Sequence, residues 1–334
     1  MRLWKNKIPE GTVDLDMDAF EKKEQVCMLL KKLYQGAGYR QVQTPTFEYY
    51  ELFMNTKGTL QANQMVKLID SDGRILVLRP DATLPIARMA AAAYSKGNTL
   101  NKYSYITSIF CFNKDQQQAL HHREFTQAGV EFFGRADLDT DLEVIRLAIQ
   151  TIEESGFRNF TMDLGQANFY KALIETTTLD DEDQEFIKQC IEEKNFSELQ
   201  RFVAELDLSE DYQRAIRSIP SLYGKPEQVL EKAEKLVQNP RMKDALNQLA
   251  TVYHHLVGMG YGANITFDLG LINHLNYYTG VIFQGYVANY GKPLLLGGRY
   301  DDLTKQFGIQ IPATGFGVNI DDLVEAKEAV GWMK

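Results

Sequence analysis

The run Lys102–Gly134, KYSYITSIFCFNKDQQQALHHREFTQAGVEFFG, decides how the remainder of the chain is read. Residues Tyr103 to Phe112 and Phe125 to Phe133 are rich in aromatic and β-branched types, which favour strands. Between them Asn113 to His122 is polar and Gln-rich, so the run predicts a long antiparallel hairpin. On the second strand a period of two sets Arg123, Phe125, Gln127, Gly129 and Glu131 on one face. Hydrogen-bonding side chains then flank a glycine, where a ligand can approach the backbone. The same pattern also suits an amphipathic strand with a solvated polar face.

Working towards the N-terminus, Leu68 to Leu78 reads as a hairpin turning at Asp70-Ser71-Asp72-Gly73. It leads into Arg79-Pro80-Asp81-Ala82-Thr83 and a helix reaching Ala93, with Asp81 and Thr83 as candidate caps. Earlier still, Phe20, Val26, Cys27, Leu30, Leu33 and Tyr34 recur at helical spacing, and Gly36 and Gly38 stop the helix. Tyr39 to Pro45 then alternates as a strand, followed by Phe47-Glu48-Tyr49-Tyr50-Glu51-Leu52-Phe53.

Towards the C-terminus a helix spans Asp139 to Ser155, a strand Phe160 to Leu164, and a further helix begins at Gly165-Gln166-Ala167. Residues 179–256 are helical by pattern. Between Asp180 and Arg214 twelve acidic residues face four basic ones, a local balance of −8 against −9 for the whole chain. Solvated helix faces explain such a charge, and it would repel phosphates at short range. Strands return at Ile265 to Leu269 and around Tyr277-Tyr278-Thr279-Gly280-Val281-Ile282-Phe283. The chain closes with Gly297-Gly298-Arg299-Tyr300-Asp301 and Gly315-Phe316-Gly317-Val318-Asn319-Ile320-Asp321-Asp322.

Composition sets broad bounds. At 334 residues, 44% hydrophobic and 24% charged, the chain has the make-up of a globular protein of one large or two medium domains. It carries no run apolar enough to span a bilayer and no signal-peptide pattern at MRLWKNKIPE, so no membrane partner and a cytoplasmic location are expected. Three widely spaced cysteines, Cys27, Cys111 and Cys190, read as buried free thiols, and no metal or cofactor site is expected. A net charge of −9 argues against a general nucleic-acid-binding surface.

These motifs, in this order, resemble the class II aminoacyl-tRNA synthetases and among them histidyl-tRNA synthetase. REFTQAGVEFFG is similar to the second class II motif, and the strand ending at Pro45 to the first, which forms the family's dimer interface. Arg79-Pro80-Asp81-Ala82-Thr83 resembles the family's Arg-Pro-Glu-Gly-Thr, whose acid and threonine hold the amino acid's ammonium group. Tyr277-Tyr278-Thr279-Gly280 matches the end of the histidine signature, which lines the side-chain pocket. The resemblance therefore implies a histidine-binding pocket of Asp81, Thr83, Gln127, Glu131, Tyr277 and Tyr278. It implies an α/β (α+β) fold with an antiparallel sheet flanked by helices, a core of residues 1–178 and 257–334, and a helical insertion at 179–256.

The catalytic half of the family's pattern is missing. Where the synthetases place arginines on the ATP phosphates or use one in activating histidine, this chain has Asn113, Asn273 and Asp322. Each charge-assisted bond from an arginine fork is worth roughly 1.5–3 kcal/mol, so losing all three is expected to slow adenylate formation by several orders of magnitude. The chain ends at Lys334, without the length of an anticodon-binding domain. That combination resembles one family of synthetase paralogues, the regulatory subunits of short-form ATP phosphoribosyltransferase. The resemblance implies a non-catalytic partner of the catalytic subunit in a hetero-octamer, a homodimer through the class II core, histidine as effector, and no tRNA. A degenerate histidine-activating ligase and a stand-alone histidine sensor are the alternative readings.

Overall fold

Pairing of most strands into one large sheet explains most of the architecture. The computed structural model describes residues 7–54, 62–112, 123–272 and 277–329. In chain order the elements begin with α1 (Met17–Gly36), β1 (Arg40–Gln41), β2 (Phe47–Tyr49), α2 (Tyr50–Met54), β3 (Lys67–Ile69), β4 (Ile75–Leu78) and α3 (Thr83–Tyr94). The hairpin follows as β5 (Asn101–Phe110) and β6 (Glu124–Phe133), then α4 (Leu138–Glu154), β7 (Phe160–Gln166) and α5 (Ala167–Ile174). The next segment holds α6 (Asp181–Glu192), α7 (Phe196–Glu205), α8 (Glu210–Ser218), β8 (Tyr223–Gly224), α9 (Pro226–Glu234) and α10 (Pro240–Gly258). Last come β9 (Ile265–Asp268), β10 (Val281–Val287), β11 (Leu295–Arg299), β12 (Ala313–Asn319) and α11 (Ile320–Ala329).

The main sheet has nine strands in the order β1-β5-β6-β12-β11-β10-β7-β9-β8, antiparallel except for β1 on β5 and β7 on β9. The small sheet, β2-β4-β3, is antiparallel and turns at Asp70, whose Oδ1 accepts the Asp72 and Arg74 N–H groups at 2.9 and 2.8 Å. The predicted hairpin is β5–β6, paired over ten residues from Asn101↔Phe133 to Phe110↔Glu124. Its connection, Asn113 to His122, lies outside the described residues.

The two faces of β6 meet two different cores. Ala128, Val130 and Phe132 join the helical layer of α1, α4, α5 and α10. Tyr105 and Phe133 join the core under α3, with Leu84, Ile86, Tyr278 and Tyr300. The period of two read from the sequence therefore assigns faces correctly.

The segment 181–258 is capped by its own polar residues: Asp180 accepts from Asp183 N–H at 2.9 Å and Asn239 from Met242 N–H at 3.0 Å. Its strand β8 pairs with β9 at the edge of the main sheet, and α10 packs against α5, α4 and β7. Ile187, Leu199, Val229 and Leu249 belong to the same continuous core as Val26 and Val130.

Four local expectations are corrected. Phe20 is 54% exposed, on the solvent side of α1. The strand expected over Tyr39 to Pro45 pairs only at Arg40–Gln41, because the Arg79 guanidinium takes the carbonyls of Thr44 and Pro45 at 2.8 and 2.7 Å. Helix α5 starts at Ala167, since Gly165 and Gln166 still pair with Ile282 and Val281. Cysteine burial is uneven: all three thiols are free, but only Cys190 is buried and Cys27 and Cys111 are half-buried.

Arg79 is 2% exposed and ties three stretches of backbone together. Besides Thr44 and Pro45 it donates to Ser108 O at 2.8 Å and to the Thr107 hydroxyl. Replacing it by methionine strands several buried carbonyls, each costing about 1–3 kcal/mol. Arg79→Met is expected to lower the unfolding free energy by roughly 3 kcal/mol or more in urea titration, and Arg79→Lys to recover little of it because an ammonium lacks the planar fork.

Candidate functional site

Polar side chains from α3, β5, β6 and the strand ends around β11 converge on the face of the main sheet beneath α3. Glu131, on β6, is 1% exposed. Thr83, at the start of α3, donates its hydroxyl to Glu131 Oε1 at 2.7 Å, and Tyr300 donates to Oε2. Burial pushes the Glu131 carboxyl up to about 8, against the two hydroxyl bonds that favour its charged form. Asp81 enters from the turn before α3, where Oδ1 accepts the Leu84 N–H at 2.8 Å. Desolvation raises it to about 6. It therefore serves as a helix cap while adding a second acid to the cluster.

Gln127 lies two positions along the same face from Gly129, and its Oε1 accepts the Tyr105 hydroxyl at 3.2 Å. Tyr277, Tyr278 and Tyr300 form an aromatic wall, with centroids 4.8 Å apart for the first pair and 5.6 Å between Tyr277 and Tyr300. Burial holds the hydroxyls of Tyr105, Tyr277, Tyr278 and Tyr300 protonated, and the charges of Glu131 and Asp81 act in the same direction on Tyr105, Tyr277 and Tyr278.

Glycines make this crowding possible. A Cβ on Gly315, directly across from Glu131, would overlap Glu131 Oε2. One on Gly317 would lie 2.7 Å from Gln127 Nε2, and one on Gly129 2.6 Å from the Tyr105 hydroxyl. The Gln-Ala-Gly-Val-Glu and Gly-Phe-Gly runs are thus two halves of one packing solution.

The six residues picked out in the sequence, Asp81, Thr83, Gln127, Glu131, Tyr277 and Tyr278, all lie in this cluster. Tyr105 and Tyr300 belong to it as well and were not singled out. A signal existed for each. Tyr105 pairs with Gly129, a tyrosine opposite a glycine, and Tyr300 is the tyrosine of the Gly-Gly-Arg-Tyr-Asp run. Behind the wall, Arg299 is braced by Asp141 at 2.8 Å and Asp301 at 2.9 Å. Asp301 N–H in turn donates to the Thr279 hydroxyl at 2.9 Å, which fixes the Tyr277–Gly280 segment against Tyr300.

Asp322 sits at the start of α11, bonded to the Tyr290 hydroxyl at 3.0 Å and to Lys292 at 2.5 Å. A phosphate brought there would meet a carboxylate already holding its cation. Asn113 and Asn273 lie outside the described residues. Among the described residues no group of three His, Cys, Asp or Glu side chains is placed to hold a metal, and no helix is long and apolar enough to cross a membrane.

Comparison with known proteins places this geometry. The family model for histidyl-tRNA synthetase matches residues 11–323. An ATP phosphoribosyltransferase regulatory subunit from Clostridium acetobutylicum is 39% identical over 96% of this chain and 79% of its own length. One from Oceanobacillus iheyensis is 41% identical over 91% of this chain and 74% of its own. The solved structure of an ATP phosphoribosyltransferase regulatory subunit/histidyl-tRNA synthetase from Bacillus halodurans superposes with a TM-score of 0.87 at 33% identity, covering 97% of this chain and 83% of that one. That superposition carries the class II synthetase core fold, a large and mostly antiparallel sheet with helices.

The raised Glu131 carboxyl has a consequence for stability. Because its folded value exceeds its unfolded one, the folded state binds the extra proton between about pH 4.5 and 8, and stability falls as pH rises through that window. The slope from this group is at most about 1.4 kcal/mol per pH unit. Glu131→Gln, which cannot ionise, is expected to match the parent near pH 4.5 and to exceed it by roughly 1–3 kcal/mol at pH 8 in urea titrations.

Proposed function

The chain belongs to the ATP phosphoribosyltransferase regulatory subunits, histidyl-tRNA synthetase-like proteins of histidine biosynthesis that are regulatory and not catalytic, and from that premise we propose that its Glu131 cluster is the pocket through which it senses histidine. The observation that carries this reading is the pairing of a complete amino-acid side with a spoiled phosphate side. Glu131, Thr83, Asp81 and the tyrosine wall are assembled, while Asp322 is tied to Lys292.

In this reading Asp81 and the Thr83 hydroxyl oxygen take the ligand's ammonium group, with Gln127 assisting through its amide oxygen. Glu131 accepts the imidazole N–H, Tyr278 addresses the second ring nitrogen, and Tyr277 closes the aromatic wall. Accepting the imidazole N–H calls for Glu131 in its ionised form, in which each oxygen takes one internal bond and keeps a second lone pair for the ligand.

The partner is the catalytic ATP phosphoribosyltransferase subunit, in a hetero-octamer built on a homodimer of this chain. An apolar strip on the small sheet supports a self-association surface: Phe47, Tyr49 and Leu68 share one face by cross-strand register and are 56, 51 and 38% exposed. Transfer RNA is not a partner in this account, because α6 to α8 carry much of the chain's excess acid.

Reconstitution tests the reading. The catalytic subunit assayed for phosphoribosyl transfer with this chain is expected to become active and histidine-inhibited. With Glu131→Ala, assembly is retained and the inhibiting histidine concentration rises about tenfold to a hundredfold, the cost of one bond to a charged or buried group. Unchanged inhibition in that variant would place the regulatory site elsewhere, with the subunit interface next in line.

A further inference from the structure

Among the described residues no base is bonded to Glu131 or Asp81. Glu131 and Asp81 both face the cluster, and the nearest ionisable groups acting on Glu131 are Asp81 and the phenols, not a base. The two arginines that flank Asp81 in sequence are committed elsewhere. Arg79 spends its N–H groups on Thr44, Pro45, Thr107 and Ser108, and the charge it feels is that of Glu48. Arg88 forks onto the same Glu48, with its second bond at 2.8 Å. Lys171, on α5, turns to the backbone carbonyl of Tyr278 at 2.6 Å, and Arg299 is held by Asp141 and Asp301 on the far side of the wall. Among the described residues every base near the cluster is thus turned away from Asp81 and Glu131.

Among the described residues the cluster offers Asp81, Glu131, an amide and phenols but no cation, so it complements a positive charge better than a negative one. A free amino acid entering amine-first would carry its own carboxylate to within a few ångströms of Asp81, where like charges repel. Resting on the histidine-pocket reading, we infer that this site recognises the amine and the imidazole of its ligand but not the carboxylate. Its ligand class is a short-chain imidazolyl amine of net positive charge, and the α-carboxylate of histidine is tolerated, not read. A synthetase needs that carboxylate positioned for attack on ATP; a sensor does not, and the chemistry here has kept only the sensing contacts.

Calorimetric titration of the full chain at pH 7.5 tests this with four probes: L-histidine, L-histidinol, L-histidine methyl ester and Nα-acetyl-L-histidine. Histidinol and the methyl ester, which lack the anion, are expected to bind as tightly as histidine or up to about tenfold tighter, about 1.4 kcal/mol. The acetylated compound keeps the carboxylate and loses the ammonium, and is expected to bind at least about a hundredfold more weakly. Asp81→Asn keeps an oxygen for the Leu84 cap and should erase the advantage of the carboxylate-free ligands over histidine. Histidinol binding more weakly than histidine overturns the inference while leaving a histidine pocket in place. Failure of all four to bind overturns the inference and the pocket reading together.

Discussion

One buried carboxylate organises this protein. Glu131 lies on β6, the third strand of a nine-stranded sheet, and its oxygens are held by a helix-start hydroxyl from Thr83 and a loop hydroxyl from Tyr300. An acid this deep destabilises the fold unless it is hydrogen-bonded, and even so it holds its proton to about pH 8. Its surroundings follow from giving it room and donors. Gly315 faces it without a Cβ, Tyr300 is placed by the strand end after Arg299, and α3 begins where Thr83 can reach it. A hydrophobic residue at 131 would suit stability better. Keeping an acid there has a cost in stability that rises with pH.

Two further acids organise the part of the sheet next to α11. Asp322 and Asp321 occupy the first turn of α11, where acids favour the helix dipole. Asp321 also takes the Thr126 N–H at 2.7 Å and Lys23 at 2.6 Å, joining α1, β6 and α11, while Asp322 holds Tyr290 and Lys292. The phosphate-binding function and the structural function exclude each other at these positions, since the first needs cations and the second uses anions. At Asp81 no such conflict arises, since capping the Leu84 N–H leaves its second oxygen for the proposed ligand role.

Much of this was legible in the sequence because it rests on period and register. Alternation along Phe125 to Phe133 sorted Gln127 and Glu131 onto one face and Ala128 and Val130 onto the other, and ten paired residues enforce that sorting. What escaped depended on contacts between distant segments. The run Tyr39 to Pro45 alternates as a strand should, yet an arginine 35 residues beyond Thr44 captures its last carbonyls. Phe20 fits the helical stripe but ends up facing solvent on α1. Tyr105 and Tyr300 are ordinary strand and turn tyrosines until the partners of their hydroxyls, Gln127 and Glu131, are known.

The central claim is that the amino-acid pocket survives with its phosphate partner gone, and separate titrations of the purified chain with histidine and with magnesium-ATP test it directly. The account predicts one histidine bound per chain in the absence of nucleotide, no saturable nucleotide binding, and no change in histidine affinity when nucleotide is added. Histidine binding that requires ATP, or that persists unaltered when Glu131 is replaced by alanine, would contradict it.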